Sequence, residues 1–216
     1  TCETLRKKIC ERGAEYLGCS PDDVEFDGEK VVNLKTKEEI TRKEIGNKVM
    51  CSSNAPLSAT EAFSSPVSPP PFMVGIAEVE IDKETGVVEP IDYAAVVDCG
   101  TVVNPNLARV QTEGGIAQGI GMALYEDIIY SEKGKNYSNS FMQYKIPSRL
   151  DVGEIRVEFE SSYEPTGPFG AKSIGEIVIN TPSPAISNAV QNAVGVIVRE
   201  LPITAEKVYK GMAEKE

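Results

Sequence analysis

One carboxylate in this chain stands in a setting suited to chemistry. Glu176 closes the run Gly170-Ala-Lys-Ser-Ile-Gly-Glu176 and is soon followed by Thr181-Pro-Ser-Pro-Ala-Ile-Ser-Asn-Ala189, whose serines and prolines signal a helix start. Flanking glycines let the backbone approach a ligand closely and adopt angles closed to other residues. The carboxylate can therefore be set against something that is not protein. A solvated glutamate ahead of a helix is the competing reading. The rest of the chain narrows the choice of base, because it contains no histidine. That removes Ser–His and Cys–His nucleophiles and any zinc site of the Cys/His type. Acid–base work falls to a carboxylate, a lysine, a tyrosine or a cofactor.

Composition sets further bounds. The chain has 216 residues, enough for one large domain or two small ones. A hydrophobic content of 41% and a charged content of 25% are those of a globular protein. The net charge of −11 argues against nucleic acid and against an anionic membrane surface as partners. No apolar run approaches the ~18 residues of a membrane span. Cysteines at 2, 10, 19, 51 and 99 are odd in number and lack a pairing motif, so reduced thiols and a cytoplasmic setting are expected. Charges interrupt the first ten residues, which excludes a signal peptide there. With no initiating methionine, the sequence is expected to be part of a longer or processed subunit.

The elements that must position Glu176 can be read from periodicity. Residues 3–17 form an amphipathic helix stopped by Gly18, with Leu5, Ile9, Tyr16 and Leu17 along one stripe. Val24–Phe26 and Val31–Leu34 form a hairpin with a primed turn at Asp27-Gly28. Thr41 and Glu44 make a capping box for a short helix to about Val49. Residues 52–71 are a Ser- and Pro-rich linker of extended type. Strands follow over Phe72–Asp82 and Val87–Cys99, joined by a turn at 83–86, and further strands at Asp127–Tyr130 and around Ile155–Phe159. Asn104-Pro105 begins a helix to about Tyr125. Its glycines at 114, 115, 119 and 121 cost about 1 kcal/mol each relative to alanine. They imply close approach by a ligand or backbone, or helix–helix packing through small residues; both readings stand. A helix capped by Ser183 with Pro184 at its first position is expected to reach about Glu200, carrying Ile186, Val190, Ala193, Val194 and Ile197 on its apolar face. Pro202 closes it, and a last helix follows Thr204.

Several ordered segments together resemble one family. They are Ala77-Glu-Val-Glu-Ile-Asp82, Val97-Asp-Cys-Gly100, Asn104-Pro105, Gln111-Thr-Glu-Gly-Gly-Ile-Ala-Gln-Gly-Ile-Gly121, Tyr144-Lys-Ile-Pro147, Gly170–Glu176 and Leu201-Pro202. From about residue 72 onward the chain resembles the C-terminal part of the molybdenum-cofactor-binding subunit of the xanthine dehydrogenase family of molybdenum hydroxylases. Residues 1–71 fit the same subunit less sharply. The family's glycine-glutamine-glycine pterin motif and its arginine-bearing substrate loop are missing from these 216 residues.

The resemblance implies a molybdenum–molybdopterin cofactor, with 2Fe-2S and FAD on partner subunits. It implies that Glu176 is the catalytic base, partly desolvated and with a raised pKa, during attack of a water-derived oxygen on an electron-poor substrate carbon. Gln111 matches a glutamine beside the cofactor, where its amide could donate or accept; a cap or solvated helix residue is the alternative. Lys172, Ser173 and Ile174 would supply polar groups close to the base, although glycine is usual where Ser173 stands. The helix start at Ser183 would offer free N–H groups to the phosphate end of the pterin, or is simply a capped core helix. No side chain is expected to bind the metal directly. Asp98 and Glu113 are read as structural.

The expected fold is α+β, the distal portion of a molybdenum-cofactor-binding domain with antiparallel or mixed sheets and packed helices. Its parts are a helix–hairpin–helix region over 1–51, the linker at 52–71 and a C-terminal region over 72–216 carrying Glu176. The expected function is a share in a purine-type N-heterocycle hydroxylase. An aldehyde- or carbon-monoxide-oxidising relative, or a non-catalytic assembly fragment, is the alternative. The expected partners are the remaining molybdenum-subunit portion, the iron–sulfur and FAD subunits and a small-molecule substrate.

Overall fold

The computed structural model describes residues 1–52 and 56–214. The architecture is α+β and separates into two compact units, Thr1–Ser64 and Ser65–Glu216. The division falls inside the Ser/Pro-rich stretch. Residues 53–55 of that stretch lie outside the described residues, and its remainder contains no helix or strand.

The first unit opens with helix α1 (Cys2–Leu17), ended by Gly18 in the left-handed conformation. Strands β1 (Val24–Phe26), β2 (Lys30–Asn33) and β3 (Glu39–Thr41) form an antiparallel sheet in that order. Helix α2 (Arg42–Met50) begins at the Thr41/Glu44 capping box, with both reciprocal hydrogen bonds present. Ile9, Val31, Ile40, Ile45 and Val49 make the core. The sequence reading missed β3, which is short and runs directly into the capping box. It also centred the hairpin turn one residue early. Asp27 N–H bonds Lys30 O, so Gly28 and Glu29 form the turn, and of these two only Gly28 has positive φ.

The second unit carries the candidate site. Strands β4 (Phe72–Ile81) and β5 (Val88–Asp98) pair antiparallel, and β6 (Glu154–Phe159) pairs parallel to β5. Alternation along the strands buries Tyr93, Ala95, Val97 and Val157 on the inner face. Helix α3 (Pro105–Leu124) packs over β6, and helix α5 (Pro182–Val194) over β4. Between them lies the single turn α4 (Ile177–Asn180), and α6 (Ala205–Ala213) follows with Thr204 as its cap. Ile116, Ile120, Ile186, Ile203 and Val208 join the sheet residues in the core.

Two expectations are corrected here. Asp127–Tyr130 is not a strand. Ile128, Ile129 and Tyr130 are all exposed without alternation, and among the described residues the only ladder contact there is an isolated bridge from Tyr130 to Asn136. The segment belongs to a long connection from α3 to β6. Helix α5 stops at Val194 rather than near Glu200, because Gly195 turns left-handed. The change of direction buries Val196 and leaves Ile197 exposed. Among the described residues, no helix is long and apolar enough to cross a membrane.

The glycines of α3 divide between the two readings. A Cβ on Gly115 would lie 2.2 Å from Val178 Cγ2 and 2.9 Å from its Cβ, and one on Gly119 would lie 2.6 Å from Pro182 Cγ. These positions serve helix packing. A Cβ on Gly114 would meet nothing within 4 Å. Alanine at 114 should therefore gain up to about 1 kcal/mol of helix propensity. Alanine at 115 should lose about 1–3 kcal/mol to overpacking, less that propensity gain. Urea unfolding of Gly114→Ala and Gly115→Ala checks this. Equal midpoints for the two would show that the α3–α4 contact is not tight.

Candidate active site

Glu176 stands at the end of a loop that crosses from the β5 terminus to helix α3. It is the residue immediately before α4, and its side chain is exposed in this chain. The partly desolvated carboxylate expected from the sequence is therefore not formed by these residues alone. It borders a groove of about 300 Å³ together with Gln111, Gly114, Gln118 and Gly175. Gln111 and Gln118 lie seven residues apart, two turns of α3, and so share one face. Gln111 Nε2 donates to Gly175 O at 3.0 Å, which fastens the turn carrying Glu176 to α3. Among the described residues no donor reaches Gln111 Oε1, which stays available as an acceptor.

A second groove of about 430 Å³ adjoins the first, sharing Gln111 and Gly175. Its other walls include Cys99, Val103, Leu107, Lys172 and Ile174, so it is mainly apolar. Ser173 is exposed and lines a different surface depression, with Pro66 and Thr166. Lys172, Ser173 and Ile174 thus do not line the Glu176 groove.

The Lys172 ammonium is already engaged. Its side chain is only 8% exposed and its Nζ bonds Asp98 Oδ2 at 2.6 Å. The Phe72 ring lies 5.4 Å from the same nitrogen. Asp98, the last residue of β5, also accepts from Ser162 Oγ at 2.6 Å and from Gly100 N at 3.0 Å. The Lys172 ammonium first, then the Ser162 hydroxyl and the Gly100 N–H, hold the Asp98 carboxyl at about 2, well below the ordinary 3.8.

Ser183 does not cap α5. That helix begins at Pro182, after Thr181, and no side chain caps it. Pro182 and Pro184 have no N–H, and Ala185 N bonds Thr181 O. Ser183 is left as the one unpaired N–H of the first turn among the described residues, a much weaker anion site than a full helix start. Gln118 was missed by the sequence reading, although its spacing from Gln111 could have flagged it; Gly114 stood among the glycines of α3 read as a possible close approach by a ligand or backbone.

Comparisons with known proteins identify the family. A family model described as a molybdopterin cofactor-binding domain matches residues 1–153. The chain belongs to that family. The match ends before the Glu176 loop, but similarity to individual proteins extends across it. The chain is 35% identical over 215 residues to a protein named probable hypoxanthine oxidase XdhD from Escherichia coli (strain K12), covering 97% of this chain and 22% of that protein. It is 34% identical over 155 residues to the xanthine dehydrogenase molybdenum-binding subunit of Escherichia coli O157:H7, covering 71% of this chain and 21% of that protein. Among solved structures, quinoline 2-oxidoreductase from Pseudomonas putida 86 superposes with a TM-score of 0.75 at 27% identity, covering 98% of this chain and 28% of that one. The chain therefore spans about a quarter of the length of these relatives.

The Asp98 site makes stability depend on acid. The folded carboxyl lies below its unfolded value, so its contribution is complete above pH ~3.8 and is lost as pH falls through about 2. Thermal unfolding followed from pH ~4 down to pH ~2 should fall further for the natural chain than for Asp98→Asn. Parallel profiles would remove Asp98 as a source of acid sensitivity.

Proposed function

We propose that the chain is the C-terminal part of the molybdenum-cofactor-binding subunit of a xanthine dehydrogenase-like molybdenum hydroxylase. Its substrate is an N-heterocycle such as a purine, hydroxylated with water-derived oxygen. The reading is carried by one observation: Glu176, Gln111 and Gln118 line one groove together with the side-chain-free backbone at Gly114. A Cβ at Gly114 or Gly175 would meet no protein atom within 4 Å, so side chains there would take up space in the groove rather than collide with a neighbour. Uncharged amides, a bare backbone edge and one carboxylate fit one side of a polar heterocyclic cofactor such as molybdopterin. Hypoxanthine and quinoline, the compounds in two relatives' names, are both N-heterocycles.

When bound, molybdenum–molybdopterin supplies the oxygen transfer and takes up the electrons, which pass on to 2Fe-2S and FAD centres of partner subunits. The chain's own residues do the rest. Glu176 accepts a proton at its carboxylate oxygens. Gln111 holds the Gly175 carbonyl through Nε2 and offers Oε1 to the cofactor. The backbone from Lys172 to Ile174 sets the path of the loop, and the Ser183 N–H adds a single donor beyond it. The remaining portion of the subunit covers Glu176 and excludes water from it. We place the assembly in the cytoplasm.

Oxidation of an aldehyde or of carbon monoxide is the second reading. It is favoured by superposition on a Cu,Mo-CO dehydrogenase at a TM-score of 0.74 and 25% identity, covering 98% of this chain and 28% of that one. A panel of hypoxanthine, quinoline, benzaldehyde and carbon monoxide, with an artificial dye as electron acceptor, separates the two. In the assembled enzyme, Glu176→Gln should retain molybdenum and lower turnover by at least ~10². Near-normal turnover removes Glu176 as the base. Absence of molybdenum from the full assembly leaves the non-catalytic assembly role.

A further inference from the structure

The loop from Tyr163 to Glu176 is stapled to the end of β5 by a dense set of bonds. Thr101 N donates to Gly170 O at 2.8 Å and Lys172 N to Cys99 O at 2.7 Å, while within the loop Glu164 N donates to the same Gly170 O at 3.1 Å. Gly100 and Ala171 form an antiparallel bridge. The approach is so close that a Cβ on Gly100 would lie 2.3 Å from Gly170 O. Within the same turn Phe169 is held at φ 55, ψ 24, with its ring 86% exposed. A bulky residue is strained in that region, and persists there only when its surroundings over-determine it.

We propose that Asp98 is a positioning residue for Glu176, acting through Lys172. The inference rests on Glu176 being the base. Downstream of the staple, the segment from Lys172 to Glu176 has two side-chain tethers besides the Lys172 backbone bond to Cys99 O. One is the ion pair from Lys172 to Asp98, and the other is the bond from Gln111 to Gly175. Between them stand only Ser173, which is exposed, and Ile174, which is half-buried. The Asp98 carboxylate is 21% exposed and accepts three donors, from Lys172, Ser162 and Gly100, so it locks the Lys172 end of this short span. An amide in its place cannot neutralise the Lys172 ammonium, and an ammonium that loses its partner in a nearly buried position moves toward water. The Lys172 end of the span is then held only through the backbone, by the bond from Lys172 N to Cys99 O, and Gln111 is its one remaining side-chain tether. Displacement of a base by about 1 Å from remote mutation is enough to cost ~10²-fold in rate.

The test uses the assembled, cofactor-loaded enzyme and needs no substrate for its first arm. Amide hydrogen exchange of residues 172–177 should accelerate at least ~10-fold in Asp98→Asn, with α3 and the middle of β5 unchanged and molybdenum content retained. Ser162→Ala, which removes one donor and no charge, should give a smaller effect of the same pattern. Lys172→Arg should restore protection that Lys172→Met loses. Exchange that stays the same, or that rises evenly across α3 and β5, overturns the proposal.

The second arm is a cycle with Glu176→Gln, using hypoxanthine and an artificial dye acceptor. Asp98→Asn should lower kcat about 10- to 10²-fold with little change in KM. It should have no further effect once Glu176 is glutamine. An undiminished effect in that background shows that Asp98 acts by another route. If Glu176→Gln itself turns over normally, the base assignment fails, whereas the exchange result still decides whether Asp98 fixes the loop.

Discussion

Helix α3 approaches α4 and the start of α5 at a distance that only a hydrogen on Cα permits. Gly115 lies against Val178 and Gly119 against Pro182. This contact is steric, so it admits little adjustment: close-packed interiors feel the addition of a single methyl group. Its consequence is local and chemical. Holding α4 against α3 brings residue 175 within reach of the Gln111 amide, and so brings Glu176 to the same groove as Gln111 and Gln118. The groove is thus a by-product of helix packing. The cost of those glycines to an isolated helix is offset in the tertiary structure.

A second constraint is electrostatic and acts at the opposite end of the loop. Asp98 gathers a lysine, a hydroxyl and a backbone N–H at the point where β5 ends. The Lys172 and Asp98 side chains are each mostly out of water, so the pair is held by geometry as well as charge. Where the loop meets the end of β5, Gly170 of the loop and Gly100 after the strand are both left-handed, and the two segments touch. Packing fixes the helix side, and charge fixes the strand side.

Much of this was legible in the sequence. Asn104-Pro105 and the Thr41/Glu44 box marked helix starts because capping is local chemistry, complete within four residues. The β4–β5 pair could be read from apolar alternation and the turn at Gly86. The ordered motifs then pointed to the family that the chain belongs to. What escaped was set at long range. Lys172 looked ligand-facing because its partner lies 74 residues earlier. Asp98 looked merely structural for the same reason. The segment at Asp127–Tyr130 has strand composition, but among the described residues only an isolated bridge at Tyr130 pairs it. At Ser183 two prolines stripped the helix start of donors, a fact present in the sequence but outweighed by the familiar look of a serine cap.

The connection between α3 and β6 is tied down at its ends and closed on itself at its tip. Tyr144 bonds Glu126, Tyr125 bonds Asp151 O and Arg149 bonds Gly153 O, so both ends of the connection are anchored. Its tip, from Ser131 to Lys135, is a self-contained turn closed by its own hydrogen bonds. Doubling the length of such a tip costs only about 0.6 kcal/mol of closure entropy. The tip can therefore be lengthened or redecorated over evolutionary time, or by an engineer fusing a peptide, while β6 and the loop to Glu176 keep their register. The molecule separates a surface free to diversify from a loop that has almost no latitude.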